Sequence, residues 1–258
     1  MGRTIIVGTG ALAQAAARAI ERYGRQAVLV GRRDGVDVRG PIDLRPFTDG
    51  EPIDAVLEAT STDASRPADA VRFFEASARH VANAAHDVDA GMHVVVSIVG
   101  CHRATGYAHY AGKVAQERAA RAAATDATPA IIVRSTQWFT FPRQLVDRLA
   151  RGPVMPVPSM RLRPVALDTV ADVVAEIVVG RRERESACVC GPEAMTLAEM
   201  VARLEGRPAV RIPVPLPGAA REARTGALLP TGGVEVVGPR FEDWLREHPD
   251  GRWHDVDA

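Results

Sequence analysis

The sequence predicts an α/β chain built around a doubly wound parallel sheet, and three observations carry that expectation. Short β-branched runs alternate with helical patterns from residue 4 to about residue 136. A glycine-rich turn joins the first run to the first helical pattern. Beyond residue 140 the alternation yields to a proline-rich texture, as expected of a small substrate-binding region built on the carboxyl edge of a sheet. The expected division is a sheet core over 1–140 and a C-terminal region over 141–258, packed together as one structural unit.

The elements follow in order. "TIIVG" (4–8) is a buried parallel strand by its β-branched content. "ALAQAAARAIERYG" (11–24) is a helix with a C-terminal glycine signal at Gly24. "QAVLVG" (26–31) reads as a second strand, "DVRGPIDL" (37–44) as a third with Pro41 at an edge or bend, and "IDAVLEAT" (53–60) as a fourth. The short segment between the last two leaves room for a stub of crossover helix at most. A helix over 67–89 opens on Pro67, a good first-turn residue, and carries Val71, Phe74, Ala78 and Val81 as a stripe. A fifth strand (93–100), a helix (108–125) and a sixth strand (130–136) complete the alternation. In the second half, 151–167 reads as irregular, 168–180 as a helix and "SACVCG" as a strand. Thr196 and Glu199 form a capping box for a helix over 195–206, 207–218 is extended, and 240–249 is a closing helix.

Composition excludes several classes. Lys+Arg and Asp+Glu both count 32, so no broad field draws in nucleic acid or an anionic membrane. Cys101, Cys188 and Cys190 are too few and unpaired for a disulfide framework, and without partner histidines they predict no metal site. No apolar run approaches the roughly 18 residues of a membrane span, and the opening run is too short for a secretory signal. A cytoplasmic protein with a small-molecule substrate is expected.

The turn "GTGALA" (8–13) matches G-x-G-x-x-A between a strand and a helix. Gly8 permits the tight turn, Gly10 lets backbone approach a pyrophosphate, and Ala13 allows close helix–strand packing. With Thr9, Ala11 and Leu12 these residues present free N–H groups and a helix dipole to phosphate, so residues 1–140 are expected to be a Rossmann-like dinucleotide-binding core. After the second strand the chain reads "VGRRDG". Arg32 and Arg33 suit a 2′-phosphate, and Asp34 comes late for a ribose contact, so NADP is expected over NAD.

With "GTGALA", "GRR", "FFEASARHVANAA", "VVVSIVG", "YAGKVAQE", "IVRSTQWF" and "GPEAMTLAEMVARL" in this order, the chain resembles the atypical short-chain dehydrogenase/reductase proteins of the NmrA-like group over nearly its whole length. The resemblance implies an NADP-dependent oxidoreductase acting on a small or medium organic carbonyl, with secondary metabolism as one setting. It places Asp43 and Leu44 near the adenine, Thr60 and Ser61 beside the cofactor, and Trp138, Phe139 and Phe141 along a substrate pocket, while Gln137 either contacts substrate or caps the strand. The chain departs from the group's loop, where Val7, Gly10 and Ala13 stand at the three usual glycine positions. It leaves a homodimer through the long sheet-flanking helices open.

The short-chain dehydrogenase mechanism needs a tyrosine to donate a proton, a lysine four residues later and a serine on the substrate oxygen. Lys113 and Ser97 are present, but His109 stands four before Lys113 and Tyr110 three before. His109 is one candidate donor, having a free pKa near neutrality; Tyr110 is the other. Two further functions stay open: a non-catalytic, NADP-sensing regulator, and a non-redox enzyme for cyclisation or dehydration with His109 as acid/base. His102 and Arg103 either meet an anionic substrate or belong to a solvated loop.

Overall fold

A computed structural model describes residues 2–214 and 224–253; residues 215–218, the end of the segment expected to be extended over 207–218, lie outside the described residues. In chain order the strands are β1 (Arg3–Val7), β2 (Gln26–Val30), β3 (Ile53–Glu58), β4 (His93–Ile98), β5 (Ala130–Ser135), β6 (Val154–Pro158), β7 (Arg161–Leu162), β8 (Ala187–Cys190), β9 (Met195–Thr196), β10 (Val210–Val214) and β11 (Glu235–Val236). The helices are α1 (Ala11–Arg22), α2 (Pro67–Asp87), α3 (Ala108–Ala123), α4 (Phe141–Leu149), α5 (Leu167–Val178), α6 (Leu197–Arg203) and α7 (Phe241–Glu247).

Local chemistry sets these bounds. α1 stops where Gly24 takes a φ of 70°, α2 opens on Pro67, and the Thr196–Glu199 capping box closes reciprocally at 3.2 and 2.6 Å. Seven strands form one parallel sheet in the order β11-β8-β5-β4-β3-β1-β2. Its interior strands are hydrophobic on both faces because both faces are covered. α1 and α5 pack on one face with Ile6, Leu57, Val94, Val133 and Val189; α2 and α3 cover the other. α5, β8 and β11, from the second half of the chain, thus complete the sheet and its cover. α4, α6, α7 and the small sheets β6–β10 and β7–β9 surround a second core with Phe139, Met155, Met200, Phe241 and Trp244.

Two sequence expectations need correction. Residues 37–44 do not form a strand, and the sheet ends at β2. Asp37 and Asp43 instead accept bonds from the amides of Arg39 and Arg45, making local turns, and Pro41 has no N–H for a ladder. Val36, Val38 and Leu44 still reach the core, which is the apolar signal that suggested a strand. Conversely, the stretch expected to be irregular contains β6, paired in parallel with β10; prolines are tolerated there because each sheet has only edge strands.

The chain leaves β1 toward β2 on one side and returns in β3 on the other. The loops after β1 and β3 therefore diverge at one point of the carboxyl edge, the place where such sheets bind ligands.

Candidate active site

The loop after β1 is built by backbone geometry. Gly8 has a φ of 135°, and a Cβ there would lie 2.5 Å from the Ala59 carbonyl oxygen. Only glycine lets the chain turn this close to the end of β3. Gly8 N donates to the Val30 carbonyl at 2.8 Å, and Ala59 N to the Val7 carbonyl at 2.9 Å, which fixes the mouth from both sides. Gly10, by contrast, caps α1 at a φ of −79° with nothing within 4 Å of a Cβ position. Thr9 and Gly10 are exposed, Ala11 is half-buried, and Leu12 and Ala13 are buried against the sheet. The first-turn amides have no intrahelical partner, and the space around a Cβ at Gly10 is empty within 4 Å. These residues fit a pyrophosphate.

At the end of β2, Arg32 and Arg33 are exposed on a single 3-10 turn, and Arg33 makes no hydrogen bond or ion pair among the described residues. Asp34 is folded back, accepting from Gly31 N at 2.9 Å. Asp43 is tied by its own turn to Arg45 at 2.8 Å, and the Leu44 side chain is wholly buried, leaving only its backbone for any ligand. Ser61 is exposed, whereas Thr60 points inward, 3.1 Å from Glu58 and 3.0 Å from Ser77.

Between the sheet and α2/α3 lies a buried polar layer. Glu58 Oε1 accepts from Ser77 Oγ at 2.5 Å and from Gln116 Nε2 at 2.7 Å; its Oε2 lies 3.3 Å from His93 Nε2. Burial works against this charge, but His93, Ser77 and Gln116 outweigh it and hold the carboxyl below its ordinary range. Lys113 Nζ donates to the Val96 carbonyl at 2.9 Å and to Gln116 Oε1 at 2.8 Å, with the Phe74 ring 4.6 Å away. Burial pulls its pKa down to about 8, opposed by Glu58. Glu117 is paired with Arg134 and Arg121, which overcome its burial and keep it ionised. Sequence reasoning missed Glu58, Gln116, Glu117 and Arg134. It also missed a compositional signal: Lys113 is the single lysine in a chain with 31 arginines. Arginine cannot give up its proton and needs a wider socket, so this position requires a compact amine.

Ser97 is enclosed at the end of β4, beside Cys101 and Glu117 but without a well-formed hydrogen bond. The Gln137 amide, beyond β5, lies beside the Tyr110 hydroxyl; both its polar atoms are enclosed and unpaired. Such orphans are costly unless something joins them.

The donor candidates diverge. His109 packs edge-on to Phe74 at 5.4 Å, and burial together with the Lys113 ammonium pushes its imidazole down to about 4. The near-neutral pKa expected from sequence is therefore not realised, and His109 is unprotonated at pH 7. Tyr110 lies on the C-terminal core, where burial, with Tyr107 second, pushes its hydroxyl well above the usual range, so it keeps its proton throughout. Arg103 is half-buried and tied to the backbone, donating to the Ala227 and Leu229 carbonyls at 2.9 and 2.8 Å, while His102 is exposed beside it.

The aromatic residues after β5 also separate. Trp138 is half-buried, its indole bonded to Ser135 Oγ at 3.1 Å, and Phe141 is half-buried at the edge of the second core. Phe139 is 1% exposed and packs on Phe241 and Trp244 at 5.1 and 5.5 Å; it fills the core and has no face for a pocket.

No protein-family model and no curated protein matches the chain. Among solved structures, the fold is similar to those of the following proteins. TunA, an NAD-dependent NDP-hexosamine 5,6-dehydratase of tunicamycin biosynthesis, is 17% identical with a TM-score of 0.69 and full coverage of both chains. The UDP-glucose 4-epimerase of Bifidobacterium longum, solved with NAD+ and UDP, is 12% identical with a TM-score of 0.70 over 97% of this chain and all of that one. A dTDP-4-dehydrorhamnose reductase from Clostridium acetobutylicum is 14% identical with a TM-score of 0.64 over 83% and 84%. At these identities the likeness establishes a Rossmann-like α/β fold. Among the described residues, no helix is long and apolar enough to cross a membrane.

Proposed function

We propose that this chain is a nicotinamide-dinucleotide-dependent oxidoreductase of the short-chain dehydrogenase/reductase type, acting on a small or medium organic carbonyl. One observation carries the proposal: an open glycine loop at the switch point lies on the same carboxyl edge as two enclosed, unpaired polar side chains, Ser97 and Gln137. The loop would take the pyrophosphate on the amides of residues 9–12. The dinucleotide, when bound, supplies or accepts hydride. Ser97 Oγ and the Gln137 amide would receive the substrate oxygen, gaining the partners they lack. Tyr110, protonated at neutral pH, is the better proton donor than His109, which has no second proton to give. Exposed Arg32 and Arg33, with Asp34 turned back on Gly31, support NADP over NAD. The motif order supports the finer placement beside the NmrA-like group.

The test is NADPH fluorescence titration followed by NADPH consumption with a panel of ketones, quinones and keto-sugar nucleotides. Binding with turnover that Tyr110→Phe abolishes and His109→Ala leaves largely intact is expected. Absence of dinucleotide binding overturns the proposal, and binding without consumption of any panel member overturns its catalytic part.

A further inference from the structure

Lys113 is fully buried, yet nothing of opposite charge touches its amine. Its hydrogen-bond partners are a backbone carbonyl and the Gln116 side chain. A bare ammonium in this position would shed its proton, because desolvation penalises the charged form. The geometry supplies a counter-charge one step away. The Gln116 amide accepts from Lys113 through Oε1 at 2.8 Å and donates to Glu58 through Nε2 at 2.7 Å. An amide used from both ends transmits polarisation from carboxylate to ammonium, and its orientation is fixed by what it joins. Glu58 is itself fixed, since Ser77 and Thr60 bond the same oxygen.

We propose that Glu58 is a positioning residue: acting through Gln116, its carboxylate keeps the Lys113 ammonium charged and held against β4. This rests on the proposed cofactor role of the glycine loop at the switch point. Thr60, at the mouth beside Gly8, ties the same carboxylate to the loop expected to border the cofactor. The other ionisable groups around Lys113 do not replace Glu58. His109 is neutral and His93 lies against Glu58 itself. Cys101 is held as the thiol, and Glu117 is taken by Arg134 and Arg121. Composition agrees, for the one lysine of the chain stands where charge must be held by its surroundings.

Because Lys113 is the single lysine, its amine titration can be followed by NMR of 13Cε-labelled lysine as one resonance, without ligand or turnover. The wild type is expected to titrate near pH 8. In Glu58→Gln, which keeps shape and removes charge, the midpoint is expected below 7. At pH 7.5 the charged fraction would then drop from about three quarters to under one quarter, roughly a threefold loss. Gln116→Met, which breaks the relay but keeps both ions, should move the midpoint the same way by a smaller amount and covers a Glu58 variant that fails to fold. An unshifted midpoint in a folded variant of either kind overturns the coupling and leaves Glu58 a structural carboxylate. A shifted midpoint in a protein that binds no NADPH would instead remove the cofactor reading while the coupling stands.

Discussion

Substituting the two loop glycines by alanine should separate folding from binding. At Gly8 an alanine inherits a φ of 135° and a Cβ 2.5 Å from the Ala59 oxygen and 2.9 Å from its carbonyl carbon. Both contacts are with backbone, so no side chain can swing aside. A non-glycine residue in such a region costs about 1–3 kcal/mol. For a chain of this size each kcal/mol lowers Tm by roughly 2–4 °C, so Gly8→Ala should melt roughly 2–12 °C below wild type. Relief requires the β1 and β3 ends to part, so NADPH affinity should fall at least about tenfold, or 1.4 kcal/mol. At Gly10 the φ of −79° suits alanine and nothing lies within 4 Å. A small loss of capping preference and a small gain in chain entropy nearly cancel, so Tm should hold within about 0.5 kcal/mol equivalent. The new methyl projects where a pyrophosphate would sit, and affinity should fall by a similar or larger factor. Thermal melts and NADPH fluorescence titration on the same preparations read both effects. The reasoning fails if Gly8→Ala melts like wild type, or if Gly10→Ala binds NADPH as tightly as wild type.

Three further outcomes follow. Gly112→Ala places a Cβ 2.3 Å from the Phe74 ring and 3.1 Å from the Ala70 carbonyl, so α2 and α3 must separate; overpacking of about 1–3 kcal/mol should appear in urea denaturation. Phe139→Ala should cost about 3–5 kcal/mol by the same measurement, whereas a pocket residue would change KM with little loss of stability. His109 has a folded pKa of about 4 against 6.5 unfolded, so the unfolded chain binds the extra proton between these values. The stability it contributes is complete above pH 6.5 and lost as pH falls toward 4, and His109→Phe should flatten the urea-midpoint profile between pH 6.5 and 5.

Elements marked by local chemistry were legible in the sequence. The Gly8 turn, the start of α2 at Pro67, the end of α1 at Gly24 and the Thr196–Glu199 box each depend on residues within a few positions. The third strand was misread because Val36, Val38 and Leu44 supply a buried apolar pattern without extended backbone; side-chain bonds from Asp37 and Asp43 decide the conformation. β6 was missed because its prolines conceal it and its partner lies more than fifty residues on. In the candidate site, Ser97 and Lys113 stand out in the sequence by spacing alone, but what surrounds them does not. Glu58 sits in an apolar run and looks like the last residue of a strand; only the packing of α2 and α3 brings Ser77 and Gln116 to it. The fate of Phe139 was equally illegible, since pocket wall and core filler share one residue type.

The same electrostatics decide whether a histidine or a tyrosine at position 109 would serve as a proton donor. An ammonium one helical turn away stabilises a phenolate, which is what a tyrosine acid must become when it gives up its proton. The same ammonium disfavours an imidazolium, which is what a histidine acid must be before it gives one up. Burial against Phe74 is the larger cause of the lowered His109 pKa, and the Lys113 ammonium, which would favour a phenolate at that position, adds to it. With its conjugate acid near 4, His109 is also a weak base at neutral pH. Under the proposed function, proton transfer would fall to Tyr110, whose buried hydroxyl holds its proton tightly. Each unit by which its pKa exceeds the substrate alkoxide's requirement costs 1.4 kcal/mol, or a factor of about ten in the acid dissociation available to the reaction. A reductase of the proposed kind would need its bound substrate to lower that barrier, since what acts on the Tyr110 hydroxyl is burial, Tyr107, Gln137 and Cys101.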